Sequence, residues 1–327
     1  MKTNKVLSIL PIFLLGTTLF YFSSCPTVNI NTGSGGSSGS TVQFTQPSWA
    51  INQAGNVQIT IQSPSMLFYN PNLGLSYTLP MSYTNSIYTE SNNQLTVTYQ
   101  IATYGNISPS SGSFTPQTPI YNPSSKSITV ITYPLQALQL KLPSGLQAVP
   151  SSLLIEIQYN ISNVQTNIEI PLILKNTNSG ITLTEPIYYS SSPVIPTSNS
   201  IQITEGGGYA TFSLSLEDAL GCFSAMNPSL GEIPEINIDN TVLQLNAGGQ
   251  LINVQNGQNG FDCAPTGTIP LQSAAIVCQI NMNQLASSYP SIQSALSSNV
   301  GVIGGVLINI TYNCEEQTSF SIPLNET

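Results

Sequence analysis

The chain has no arginine and no histidine, and only 6% of its 327 residues are charged. A typical soluble domain carries roughly 25%, so Ser, Thr, Asn, Gln and Tyr must wet this surface instead. The basic residues are all lysines: Lys2, Lys5, Lys126, Lys141 and Lys175. Without arginine there is no bidentate fork for phosphate or carboxylate. Without histidine the commonest general base and the commonest transition-metal ligand are both missing. A net charge of −9 repels nucleic acid, so no nucleic-acid partner is expected. Few carboxylates also means few groups that must protonate in acid. That predicts a weak dependence of stability on pH and suits an acidic or harsh exterior.

With those chemistries closed, acids are the one catalytic resource left: Glu217-Asp218, Glu232 with Glu235, Asp239, Asp262 and Glu315-Glu316. A glycosidase needs two opposed carboxylates in an aromatic-lined cleft, and the single tryptophan, Trp49, lies far off in the first half. Adjacent pairs of this kind read as solvated turns or helix starts. Asp239, Asp262 and the loop from Asn246 to Asn259 supply oxygen ligands for calcium, but in no EF-hand pattern. Gly206-Gly207-Gly208 lacks the lysine and following helix of a phosphate loop and reads as a tight turn or bulge. The sequence therefore assigns no catalytic residue, no metal site and no cofactor, and the chain is not expected to be an enzyme.

The N-terminus has three parts. Lys2 and Lys5 are followed by an apolar core from Val6 to Phe22, broken by Pro11 and Gly16, and then by Ser23-Ser24-Cys25. The apolar run is short and ends without a positive stop, which argues against a spanning helix. Gly33 to Ser40 is a Gly/Ser tether. This arrangement resembles a bacterial lipoprotein precursor over the first 40 residues, with Phe22 where a leucine is usual. The resemblance implies a signal peptide at 1–24 and a lipidated Cys25 heading a mature chain tethered through 25–40. Its membrane partner is then reached through the acyl chains, each buried methylene contributing roughly 0.8 kcal/mol.

Downstream the hydrophobic period is two. Val57 to Gln62, Leu95 to Tyr99, Ile155 to Tyr159 and Leu307 to Tyr312 alternate apolar and polar residues between Gly, Pro, Asn and Ser turn clusters. Two stretches match in order: Ser152 to Asn160 followed by Ile170-Pro171-Leu172, and Gly305 to Asn313 followed by Ile322-Pro323-Leu324. Each is expected to be a hairpin closing its own domain. The fold class is therefore all-β, as two tandem, homologous, immunoglobulin-like β-sandwich domains at 41–182 and 201–327. The Ser/Pro-rich 183–200 is the expected linker. A short helix is expected in the second domain from Met282 to Ser297, with Leu285, Ile292 and Leu296 on one face and Pro290 splitting it.

Cys222, Cys263, Cys278 and Cys314 all lie in the second half. An even count in an exported chain reads as two disulfides. Three connectivities are possible, and Cys222–Cys263 with Cys278–Cys314 is the preferred one, because Cys278 and Cys314 fall on or at the ends of expected strands. Sequons stand at Asn106, Asn160, Asn309 and Asn325. These features together describe an exported, lipid-anchored, non-catalytic protein of the outer surface or envelope, with an adhesive, binding or structural role toward a protein or glycan partner. Two alternatives differ in kind. One is a filament subunit donating Thr27 to Thr32 as a strand. The other is a carbohydrate-binding module using some of the 15 tyrosines as sugar platforms.

Overall fold

The computed structural model describes residues 46–327 apart from 89–93, 123, 176–180, 184–186, 198–200, 202, 207, 227–229 and 299–300. The expected signal peptide, the expected lipidation site Cys25, the expected tether and the 27–32 segment lie outside the described residues.

Strands dominate, as the period of two demands. The chain runs through β1 (Val57–Ile61), β2 (Leu67–Tyr69), β3 (Leu75–Asn85), β4 (Thr96–Thr103) and β5 (Asn106–Ser108). Next come β6 (Ser111–Phe114), β7 (Ile120–Asn122), β8 (Ser127–Thr129), β9 (Thr132–Leu142) and the long β10 (Ser152–Leu174). Short strands β11 (Ile181–Leu183), β12 (Tyr188–Tyr189), β13 (Val194–Pro196) and β14 (Ile203–Gly206) lead to β15 (Tyr209–Asp218). They are followed by β16 (Glu235–Ala247), β17 (Gln250–Gln255), β18 (Phe261–Ala264), β19 (Gly267–Pro270) and β20 (Ala275–Asn281). Helices α1 (Met282–Ser288) and α2 (Pro290–Ser297) precede the last strand, β21 (Val302–Glu326). The helix expectation holds: Pro290 starts the second piece, and Met282, Leu285, Ile292 and Leu296 are buried.

The two matched segments are not hairpins. Each is one uninterrupted strand, and they pair with each other antiparallel from Ser152↔Pro323 to Leu174↔Val302. They form the middle of a central sheet ordered β17-β16-β21-β10-β4-β6. Along β10 the residues Leu153, Ile155, Ile157, Tyr159 and Ile161 point inward, as the alternation requires. A bulge between Ile161 and Val164 inserts an extra residue, with Asn163 at φ 64, and keeps the inward face inward beyond it.

That face is covered by two further sheets. The sheet β1-β3-β9-β5 lies over the β4 end, where Tyr83 of β3 stacks on Phe114 of β6 with ring centroids 4.4 Å apart. The sheet β13-β15-β20-β18 lies over the β16 end, where the Val194 N–H donates to the Tyr312 hydroxyl at 3.1 Å. Two sandwich-like lobes therefore share one continuous sheet. Residues 46–327 form one compact unit, and a single buried apolar cluster runs through both lobes.

The stretch 183–200 was expected to be a linker, but what is described of it is woven into the body. β12 pairs with β10, β13 pairs with β15, and Ser190, Ser191 and Ser192 are fully buried. Their hydroxyls satisfy backbone and side-chain partners: Ser190 accepts from the Asn167 N–H at 3.0 Å, and Ser191 donates to the Ser86 carbonyl at 2.7 Å. A Ser-rich segment can thus cross an interior when each hydroxyl finds a partner.

Close packing between β21 and β16 depends on Gly304. A Cβ there would lie 2.0 Å from the Gln244 carbonyl oxygen and 2.7 Å from Leu245 Cδ2. Gly304→Ala should therefore destabilise the fold by about 3 kcal/mol, the cost of overpacking a rigid site. Denaturant unfolding checks this; a midpoint unchanged from the parent would show that β16 yields freely.

Candidate functional site

Because β10 alternates, its outward side chains form a surface opposite the core. Gln158 and Asn160 point outward beside Gln100 and Thr98 of β4, their direct partners in register. Gln100 and Thr98 are in turn opposite Ser111 and Ser113 of β6, and Asn160 is opposite Glu315 of β21. Two cross-strand rows result, Ser111–Gln100–Gln158 and Ser113–Thr98–Asn160–Glu315. Neighbouring strands are about 4.8 Å apart and the two rows about 7 Å apart. The rows form the floor of an open trough of about 640 Å³, which Ala225, Leu230 and Glu232 wall on one side.

The wall is fixed at its base. Asp218 at the end of β15 accepts from the Cys222 and Phe223 N–H groups at 2.8 and 3.2 Å. The Glu315 N–H donates to the Cys222 carbonyl at 2.8 Å, and the Ala225 N–H donates to the Glu315 carbonyl at 2.9 Å. Cys222 is thereby laid beside β21, and its disulfide to Cys314 closes with Cα atoms 4.8 Å apart. The second disulfide joins Cys263 to Cys278, directly opposite one another on β18 and β20 with Cα atoms 4.0 Å apart. This corrects the expected pairing of Cys222 with Cys263 and Cys278 with Cys314. Cys278 and Cys314 are indeed on strands, but on strands of different sheets. Two disulfides belong to an oxidising compartment. No helix among the described residues is long and apolar enough to cross a membrane.

The sequence singled out acid pairs, and the strands separate them. Glu315 faces the trough while Glu316 points into the core, 6% exposed. Glu316 Oε2 accepts from the Tyr159 hydroxyl at 2.7 Å, and that hydroxyl also reaches the Val57 carbonyl at 3.3 Å. Burial pushes the Glu316 carboxyl up to about 7, with the Tyr159 hydrogen bond opposing and the Asp218 charge adding to the rise. Burial, with Glu316 beside it, pushes the Tyr159 phenol up as well. Tyr159 has one proton and two acceptors, so a protonated Glu316 donating to the phenol oxygen frees that proton for Val57.

Glu169 is a second interior acid that sequence reasoning missed. It is 2% exposed on the outer side of β10, next to Tyr188 in register, which packs with Trp49. Its Oε2 is buried without a hydrogen-bond partner, and desolvation pushes the carboxyl up to about 8. Gly305 lies beneath it, where a Cβ would come within 3.1 Å of Oε1.

The other expected groups fall elsewhere. Asp239 and Asp262 are on β16 and β18, and no cluster of three or more acids and cysteines that could hold a metal occurs among the described residues. Gly206 pairs with Tyr209 at the close of the β14–β15 hairpin, as a tight turn should. Tyr69, Tyr83, Tyr99, Tyr159, Tyr188, Tyr189 and Tyr312 are core residues rather than an exposed platform. Among the sequons, Asn160 is on the trough floor, and Asn309 Oδ1 is engaged by Gln165 Nε2 at 2.6 Å. No protein-family model matches the chain, and no curated protein does.

Proposed function

We propose that the protein is exported, held at the outer surface by lipid on Cys25, and acts there as a non-catalytic binding protein of adhesive or envelope-structural type. The observation that supports this reading is the trough: an open, hydroxyl- and amide-lined surface on a rigid, twice disulfide-bonded β body. Strands position side chains more firmly than loops do, so the surface is organised before a partner arrives. We also read the two lobes as immunoglobulin-like copies produced by duplication. Tyr159 and Tyr312 stand at matching places in the two copies. Each sends its hydroxyl into its own lobe, to the Val57 carbonyl and the Val194 N–H respectively.

The test is the intact mass of the native protein extracted from membranes, together with its N-terminal peptide. A mature chain beginning at an acylated Cys25 is expected. A chain that retains Cys25 as a free thiol, or that begins elsewhere, overturns the anchor.

A further inference from the structure

We propose that the trough is a binding site for neutral oligosaccharides, a specificity that rests on the surface-binding role above and narrows it to one ligand class. The argument begins with hydrogen-bonding capacity. Thr98, Gln100, Ser111, Ser113, Gln158 and Asn160 each present groups that donate or accept. None of these side chains is hydrogen-bonded to another group among the described residues. Their capacity is unspent, and each can both donate and accept a hydrogen bond, as a sugar hydroxyl does. A ligand that only donates or only accepts would leave half of that capacity unmatched, at a cost of about 1–3 kcal/mol for each buried group left unpaired.

Charge narrows the class further. The lining contains two carboxylates, Glu232 and Glu315, and no cation. Each carboxylate accepts from sugar hydroxyls in charge-assisted hydrogen bonds, whereas uronic acids, sulfated sugars and phosphates are repelled. Leu230, 75% exposed on the wall, adds apolar surface that the C–H face of a pyranose covers. Geometry argues against a peptide strand. Strand addition uses backbone groups along a sheet edge, while the trough is floored by side chains on the sheet's face. Gln100, Thr98, Gln158 and Asn160 stand on β4 and β10, which are paired on both sides with only β6 beyond them at the edge.

The site is also held in place. Its floor is continuous with the longest pairing in the molecule, and its wall stands on the Cys222–Cys314 disulfide. An oligosaccharide therefore meets a preformed surface rather than one it must order.

The experiment is an array of immobilised neutral gluco-, manno-, galacto- and N-acetylglucosamine oligomers, with uronic and sulfated oligomers and an oligolysine peptide beside them, probed with the full mature protein. At least one neutral family should be retained and the acidic ones should not. Gln158→Ala with Asn160→Ala, or Gln100→Ala alone, should weaken that retention at least tenfold. The melting curve should be unchanged, because these side chains are exposed. Retention of no neutral oligomer, retention indifferent to the floor variants, or stronger retention of oligolysine each overturns the proposal. The anchor at Cys25 is read separately by mass, so an acylated protein that fails on the array removes the saccharide specificity alone.

Discussion

Acidifying the protein from pH 8 to pH 5 is expected to raise its melting temperature, by on the order of 10 °C. Most globular proteins lose stability in that direction below neutrality, because paired carboxylates must be protonated. Here the interior acids work the other way, so the weak pH dependence expected from the small number of carboxylates gives way to a steep one set by two buried glutamates. Glu169 and Glu316 are held at about 8 and about 7 in the folded chain, against about 4.3 for an exposed glutamate. In the window between, the folded chain binds more protons than the unfolded chain, so stability falls as pH rises. The stabilisation is complete below about pH 4.3 and is lost as pH climbs through 7 for Glu316 and 8 for Glu169. Each pKa unit corresponds to about 1.4 kcal/mol, so the two groups together contribute on the order of 5–7 kcal/mol between pH 8 and 5. Glu169→Gln with Glu316→Gln mimics the protonated forms and should flatten the profile at its high-stability end. Melting curves across this range decide the matter; a temperature that stays level or drops toward pH 5 would refute it.

Removing the Cys222–Cys314 disulfide should be the most damaging cysteine substitution. It closes a loop with a sequence separation of 92, whereas Cys263–Cys278 spans 15. In the chain-entropy account the long loop corresponds to about 4.7 kcal/mol and the short one to about 3 kcal/mol. Cys222→Ala with Cys314→Ala also frees the base of the trough wall, where Cys222 and Ala225 hydrogen-bond to Glu315. This variant should melt well below the one lacking Cys263 and Cys278, and it should lose trough ligands that the other keeps. Peptide mapping without reduction should recover Cys222 linked to Cys314 and Cys263 linked to Cys278. Equal losses from the two double variants would show that loop length is not what the long bridge contributes.

The strands were legible in the sequence because a half-buried strand writes itself as a period of two, and Ile155 to Tyr159 does so plainly. Pro290 likewise announced the break between α1 and α2. What alternation cannot reveal is the partner. Ser152 to Asn160 looks the same whether it folds back on its own domain or pairs with β21, so the shared central sheet was hidden and two separate domains were read. The disulfides failed for the same reason, since only register places Cys263 opposite Cys278. Ser190 to Ser192 misled differently, because composition does not distinguish a solvated serine from one whose hydroxyl is matched inside. The trough residues were visible as the polar half of each alternating pattern. That they align into rows across four strands follows from pairing that no single strand encodes. Glu169 carried a weak signal, a lone acid amid the apolar run from Ile168 to Leu174.

The sharing of β10 and β21 bears on how such a chain is made. Residues 314–324 of β21 complete the central sheet beside β10 under the first lobe, and β2 pairs in parallel with the strand's last residues, Leu324 to Glu326. The earliest-synthesised part of the body therefore waits for the last-synthesised part. Until the final strand has emerged, β10 has an open edge and neither lobe can close around its core. Completion of either lobe is thereby postponed until β21, the last of the described strands, is available.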